Sequence, residues 1–340
     1  MRIALLSARR SHTPPATSGG TERAVDTLAQ ALARAGHDVV VWAREGSKGR
    51  PEYEVRPYVG GTFADVADLR GFDVVHNHWI GDDNWTGYRF LERLLRNHPR
   101  VVQTYHGSFP YYIRPYAWWL RMRRRAPHFV VQSARHVAYA HRHGVPNCRF
   151  IPNAIAEFTY SAKPRDYVAY LGRLAPEKGV GTAIRVAQRA GAPLKIAGPA
   201  DPAFLDKEVR PHLSPAVEYL GVVSDTERTR LLQGARALVF PSRYGEGMPL
   251  VVLEALACGT PVVSSDAYWS APDVVREGVS GFLGADEDAL VSGLERIGEI
   301  DRRACFEWAL QRFSPESVAE KHLALYQELL PKPGPPRGRP

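Results

Sequence analysis

Short valine-rich runs alternating with helix-patterned stretches constrain this chain more than any other feature. Residues 2–7 (RIALLS) and 38–43 (DVVVWA) are apolar runs of strand length. Between them Ala24, Val25, Leu28, Ala31 and Leu32 recur at steps of three and four, and Gly36 follows as a stop. Strand, helix, strand at this spacing is a βαβ unit. Further strands are predicted at 53–58 (YEVRPY), 74–78 (VVHNH), 101–105 (VVQTY) and 129–133 (FVVQS), with helices at Asn84–Arg96 and near Trp118–Arg125. These runs do not alternate cleanly, as expected of parallel strands covered on both faces. The polar stretch 156–166 (AEFTYSAKPRD) reads as an interdomain linker, after which the rhythm restarts. Strands are predicted at 167–171, 194–197, 217–220, 237–240 and 261–264, and helices at 180–190, 203–210, 225–234 and 250–258. The expectation is two doubly wound α/β domains in tandem. A last helix over Pro315–Leu330 carries one apolar stripe.

The length of 340 residues suits two cores of ordinary domain size. A formal charge of +8 fits a nucleic acid, an anionic membrane surface or a phosphorylated small molecule, and composition does not choose among them. Cys148, Cys258 and Cys305 are scattered and form no C-x-x-C pair, which disfavours a disulfide framework or a zinc-cysteine site and points to a reducing compartment. The start of the chain lacks the apolar length of a signal peptide, and no run approaches a bilayer span, so a cytoplasmic location is expected, with peripheral contact to the inner membrane face left open. The tail, residues 331–340, is proline, glycine and basic residues and reads as disordered.

Ligands of open α/β sheets bind at the carboxyl ends of the strands. The first such loop, residues 9–20, ends in Gly19-Gly20 and opens a helix, an arrangement that lets main chain approach an anionic or hydroxyl-rich group. It has neither G-x-G-x-x-G nor G-x-x-x-x-G-K-S spacing, which disfavours a standard dinucleotide or ATP site. His106-Gly107 follows the strand ending at Tyr105 and reads either as a site histidine or as a solvent-facing loop residue. His76 and His78 share a strand face, but no third ligand has metal-site spacing, and no metal is expected. Residues 172–179 (GRLAPEKG) set Arg173 and Lys178 about a turn, where two cations would neutralise a diphosphate without a metal; the alternative is ordinary surface charge. Residues 241–254 (PSRYGEGMPLVVLE) place Glu246 in a glycine-bearing loop and Glu254 on the helix that follows, offering a carboxylate and helix-start N–H groups to polyol hydroxyls.

The ordered set Gly19-Gly20, His106-Gly107, Ile151-Pro152-Asn153, Gly172-Arg173-Leu174 with Glu177-Lys178-Gly179, Pro241-Ser242, Glu246 to Glu254, and Gly259-Thr260-Pro261-Val262-Val263 resembles the retaining glycosyltransferase family 4 pattern. The resemblance covers nearly the whole chain up to residue 330. It implies the GT-B architecture: two Rossmann-like domains facing across a cleft, with a C-terminal helix returning to the first. The implied division is 1–157 for the acceptor domain, 158–314 for the nucleotide-sugar domain, 315–330 for the crossover helix and 331–340 for the tail. By the same resemblance Gly19 and Gly20 lie against the donor diphosphate, Arg173 and Lys178 hold it, and His106 contacts the transferring sugar. Glu246 binds sugar hydroxyls with the backbone of Gly247, Met248 and Pro249, and Glu254 holds the ribose hydroxyls. The family's glycine and aspartate after proline-asparagine are here Ala154 and Ala156. Its paired glycines and glutamate are here Tyr268-Trp269-Ser270-Ala271-Pro272-Asp273, so the bulky Tyr268 and Trp269 are expected to reshape the sugar pocket. Gly245 stands as an extra residue before Glu246.

The reaction this implies keeps the donor's anomeric configuration and needs neither cofactor nor metal, with a UDP- or GDP-linked sugar as donor. The acceptor is less defined. Residues 109–125 (FPYYIRPYAWWLRMRRR) read equally as a peripheral membrane patch for a lipid-linked acceptor, an aromatic groove for a small molecule or oligosaccharide, or a core-covering helix with solvated arginines. High alanine and arginine usage is typical of high-GC bacteria and favours natural-product decoration, antibiotic biosynthesis included. A nucleic-acid-binding protein is the competing class, disfavoured because no standard module is visible. A nucleotide-sugar epimerase or phosphorylase on a similar scaffold is the third. The oligomeric state stays open.

Overall fold

The computed structural model describes residues 1–9, 11–15, 19–58, 69–79, 84–107, 126–243 and 246–331. The segment 109–125, the predicted helix near Trp118–Arg125, Gly245 and most of the tail lie outside the described residues. The chain divides into two compact units. One takes the described residues of Met1–Thr104, Trp118–Val130 and Glu316–Pro340; the other takes those of Tyr105–Ala117 and Val131–Pro315.

The first sheet runs β3-β2-β1-β4-β5-β6-β7. Its strands are β1 Arg2–Leu6, β2 Asp38–Ala43, β3 Glu54–Pro57, β4 Val74–Asn77, β5 Val101–Tyr105, β6 His128–Val131 and β7 Cys148–Phe150. β1 pairs in parallel with β2 on one side, Ile3 opposite Val39, and with β4 on the other, Ile3 opposite Val74. Helix α1, Gly20–Arg34, buries the stripe Ala24, Val25, Leu28, Ala31 and Leu32 that the spacing predicts. α2 follows at Asn84–Asn97 and α3 at Ala134–Arg142.

The second sheet repeats the plan as β10-β9-β8-β11-β12-β13. Its strands are β8 Val168–Leu171, β9 Leu194–Ala197, β10 Val217–Tyr219, β11 Leu238–Phe240, β12 Val262–Ser265 and β13 Gly281–Gly284. The helices are α4 Val180–Arg189, α5 Pro202–Glu208, α6 Asp225–Gly234, α7 Leu250–Ala257, α8 Ala271–Val274, α9 Glu287–Glu295, α10 Arg302–Phe313 and α11 Pro315–Leu329. In both sheets strand order reverses beside the first strand, between β1 and β4 and between β8 and β11. Adjacent crossovers depart in opposite directions there, opening a crevice at the carboxyl edge. The loops that carry Gly19-Gly20, Arg173 with Lys178, and Glu246 leave from these two points, and the His106 loop leaves from β5, next to β4.

Three features singled out in the sequence have a definite packing. The stretch 156–166 has no regular structure but is not a loose tether. Thr159 and Ser161 donate to the carbonyls of Ala257 and Cys258 at 3.1 Å each, and the Arg302 guanidinium caps the carbonyls of Ser161, Gln233 and Ala235. Tyr268 is fully buried, edge-on to Phe240 at 5.6 Å, with its hydroxyl 3.2 Å from Ser264 Oγ. Trp269 lies flat on His136 at 4.7 Å. Tyr268 thus fills the hydrophobic layer beside β12, while Trp269 is half-buried against α3, edge-on to Tyr139 at 5.7 Å.

All three thiols are buried and free, and burial pushes Cys148 and Cys305 up to about 12.

Within the first unit, α11 fixes His76 of β4. His76 Nδ1 meets the Tyr326 hydroxyl at 2.6 Å and His76 Nε2 meets Thr104 Oγ1 at 2.6 Å, all buried. This local packing accounts for His76 without a metal. His322, on the same helix, donates from Nδ1 to the Val318 carbonyl at 3.0 Å and is 4% exposed. Burial lowers it from 6.5 to about 4. The unfolded chain therefore takes up a proton below 6.5 that the folded chain refuses until about 4. Stability from this group is complete above 6.5 and is lost as pH falls to about 4, an effect of about 3 kcal/mol. Urea midpoints across that window should therefore fall less steeply for His322→Gln than for the native chain. Identical slopes would remove His322 as a source of the acid sensitivity.

Candidate active site

The loop after β8 turns back on itself. Its two ends are pinned by Tyr170, a fully buried β8 residue whose hydroxyl donates to the carbonyls of Arg173 at 3.3 Å and Lys178 at 3.4 Å. Burial raises that hydroxyl's pKa well above the ordinary tyrosine range, so it remains a donor. Pro176–Lys178 form a short 3-10 turn, and Gly179 ends it in the left-handed region at φ 74° before α4 begins. A Cβ there would lie 2.6 Å from the Pro241 carbonyl oxygen. Only glycine satisfies both the dihedral and the approach.

That approach locks the β8 loop onto the loop after β11. The Arg243 N–H donates to the Glu177 carbonyl at 3.1 Å, and Ser242 Oγ lies 3.4 Å from the same oxygen. Across this seam the Lys178 ammonium binds Glu246 Oε1 directly. Ser242 Oγ is 3.5 Å from the same carboxylate oxygen. The two side chains are mostly buried, at 19% and 15% exposure, so each offsets part of the other's desolvation penalty.

The main chain beyond Glu246 is equally constrained. A Cβ at Gly247 would sit 2.6 Å from the His106 carbonyl oxygen, so the loop after β5 runs against this one with no room for a side chain. His106 itself is half-buried. Asn153 donates from its main-chain N–H to Met248 Sδ at 3.3 Å and from Nδ2 to the Met248 carbonyl at 3.4 Å. Pro249 caps α7 and its carbonyl accepts from Val252 at 3.2 Å. Lacking an N–H, Pro249 cannot donate to a ligand, which leaves the donor capacity of this stretch to its neighbours and the first α7 residues.

The remaining predicted residues sit apart from this pair. Arg173 is exposed and paired with Glu177 at 2.7 Å, on the same turn as Lys178 but not on Glu246. Glu254 points from α7 to α6, where Arg228 Nε meets its Oε2 at 3.2 Å. Gly19 and Gly20 belong to the first unit. Gly19, at φ 141°, is packed against Pro15 and Glu22 and opens α1 at the first sheet's reversal point. Asp273 accepts from the Ala134 N–H at the start of α3, 3.1 Å away, and burial raises its pKa. Sequence reasoning missed Tyr170 and Arg228 and gave Ser242 only as part of the Pro241-Ser242 motif; the fold brings each to its partner. Among the described residues no His, Cys, Asp and Glu group of three could hold a metal ion, and no helix is long and apolar enough to cross a membrane.

This geometry has parallels in known proteins. Residues 18–157 match the family described as Glycosyltransferase Family 4, and residues 154–304 match Glycosyl transferases group 1. A D-inositol 3-phosphate glycosyltransferase of Mycobacterium marinum (strain ATCC BAA-535 / M) is 34% identical over 183 residues, covering 48% of this chain and 38% of that protein. The match thus spans well under half of that relative's length. A glycogen synthase of Mycobacterium tuberculosis (strain CDC 1551 / Oshkosh) is 29% identical over 359 residues, covering 86% of this chain and 84% of its own. Among solved structures, AviGT4, a glycosyltransferase involved in Avilamycin A biosynthesis, superposes with TM-score 0.74 at 23% identity, over 97% of this chain and 98% of its own. Anabaena Alr3699/HepE in complex with UDP-glucose superposes with TM-score 0.71 at 17% identity, over 96% and 100%. At these identities the structures establish the fold, and the two family matches together run from residue 18 to residue 304. The chain belongs to the family-4-like glycosyltransferases with GT-B architecture.

Proposed function

We propose that this chain transfers a sugar from a nucleotide diphosphate donor to a hydroxyl acceptor, with retention at the anomeric carbon and without a metal ion. The observation that carries the reading is the Lys178–Glu246 pair at the reversal point of the second sheet. A cation and a carboxylate held together there meet the two demands of such a donor. Lys178 answers the diphosphate, with Arg173 as a second cation on the same turn. Glu246 accepts from sugar hydroxyls, and the main chain from Gly247 to the start of α7 supplies donors. In the resting protein the two charges neutralise each other. A donor gives the cation a phosphate and the carboxylate a polyol, so neither is left unpaired.

In the proposed step the acceptor oxygen attacks the anomeric carbon from the face the diphosphate leaves. The C–O bond to the phosphate breaks, and the departing phosphate oxygen takes the acceptor's proton. Lys178 and Arg173 stabilise the negative charge that grows on the leaving group. His106, whose main-chain carbonyl packs on Gly247, is the candidate for contact with the transferring sugar. Glu254 is the candidate for the ribose hydroxyls. The structure holding UDP-glucose supports a UDP-linked donor, with GDP the other nucleotide to test. The neighbour involved in Avilamycin A biosynthesis supports a natural-product or oligosaccharide acceptor. A lipid-linked acceptor is the second reading; its sequence basis, 109–125, lies outside the described residues, and a lipopolysaccharide outer core galactosyltransferase of the same fold supports it.

A thermal-shift panel of UDP, GDP and ADP should raise the melting temperature with one base above the others. No shift with any of them would overturn the donor class. For Lys178→Ala, turnover should fall about 10²–10³-fold, equivalent to about 2–4 kcal/mol, with the circular dichroism spectrum retained. Glu246→Gln should impair transfer and donor hydrolysis together; unchanged rates would remove it from the site. Turnover should survive EDTA, and a loss restored by added magnesium would contradict the metal-free mechanism.

A further inference from the structure

We propose that Arg228 is a positioning residue for donor recognition, fixing the Glu254 carboxylate so that it selects a ribonucleotide over a deoxyribonucleotide. The proposal rests on the reading that Glu254 meets the ribose hydroxyls.

The guanidinium is held from both sides. Nε meets Glu254 Oε2 at 3.2 Å, and Nη1 meets Asp225 Oδ1, one turn earlier on α6, at 3.1 Å. Arg228 and Glu254 are only 20% and 19% exposed, unlike most of the chain's ion pairs, which are solvated on at least one side. The platform beneath is fixed by a capping box. The Glu227 N–H donates to Ser224 Oγ at 3.3 Å, and the Ser224 N–H donates to Glu227 Oε2 at 2.8 Å. The first turn of α6 therefore cannot fray without breaking reciprocal bonds. Asp225 and Arg228 are set on that turn, and α6 packs on α7, which carries Glu254.

The consequence follows from the geometry of a carboxylate. A glutamate has three rotatable bonds, and a ligand that must order them loses affinity. A planar cation on Oε2 fixes the carboxylate plane while the group's other lone pairs still accept hydrogen bonds. A cis-diol donating to a pre-set carboxylate makes two bonds at once. A deoxyribose makes one and leaves an acceptor in a mostly buried site without its donor. Arg228 therefore acts on the difference between the two sugars without touching either, and its loss should weaken donor binding rather than the chemical step.

The test compares UDP with 2′-deoxy-UDP by titration calorimetry, or GDP with 2′-deoxy-GDP if GDP gives the larger thermal shift. The proteins are the native chain, Arg228→Leu, Arg228→Lys and Glu254→Gln. The native chain should prefer the ribonucleotide by about tenfold, the worth of one hydrogen bond to a charged group. Arg228→Leu should reduce that preference to about threefold or less, and Arg228→Lys should restore part of it. With the transferable sugar attached, KM should rise in Arg228→Leu while kcat stays near the native value. If Glu254→Gln abolishes the preference but Arg228→Leu keeps it in full, the positioning role is overturned and the reading of Glu254 stands. If Glu254→Gln also keeps it, the reading of Glu254 fails, and the proposal with it. A fall in kcat with unchanged KM and unchanged sugar preference would overturn the proposal as well, since a structural role alone produces that pattern.

Discussion

The ion pair between Lys178 and Glu246 is the interaction around which the second unit is arranged. Two loops from neighbouring strands must meet to make it, and the chain spends its special residues on that meeting. Gly179 accepts a left-handed turn against the Pro241 carbonyl, and Tyr170 holds both ends of the β8 loop from below. The Arg243 N–H and Ser242 hydroxyl close the seam on the Glu177 carbonyl. A mostly buried cation and carboxylate would each carry a desolvation penalty alone, and together they are tolerated. This leaves a charged centre poised where the sheet's crossovers diverge, and that placement connects the fold to the chemistry.

The same logic repeats with smaller forces around it. Gly247 lets the His106 carbonyl approach, and Asn153 grips Met248 through both its N–H and its amide. Each contact joins the Glu246 loop to a segment distant in sequence, so the carboxylate is placed by long-range packing rather than by the loop alone. The carboxylate of Glu254 is fixed by a separate route, through Arg228 and the capped start of α6. Two carboxylates on one stretch of chain are thus held by independent supports, which suits two different parts of one donor.

Much of this was legible in the sequence because it is periodic. The apolar stripe of α1, the aliphatic run of β1 and the valine runs of β2 and β5 give element type directly, and their order gives the doubly wound plan. Other elements carried weaker signals. α3 buries only His136 and Ala140, too thin a stripe to register, although Ser133 caps it. α10 buries Cys305, Ala309 and Phe313 at four-residue steps, but charged residues interrupt them. β13 is a glycine-flanked GFLG with little strand character. Side-chain direction was the least legible quantity. Tyr268 reads as a loop aromatic beside a site, yet it completes the core against Phe240. His76 shares a strand face with His78 and has no partner legible in the sequence, yet it meets Tyr326 on α11, at the other end of the chain. Arg228 reads as helix-surface charge because nothing local points to Glu254.

A double-mutant cycle on Lys178 and Glu246 tests the central claim most directly. Affinity for the nucleotide-sugar donor is measured for the native chain, Lys178→Ala, Glu246→Gln and the combination. If the pair is one donor-gripping unit, the two losses should be non-additive by about 0.5–3 kcal/mol. Strict additivity, or a double variant that binds donor as the native chain does, would contradict it.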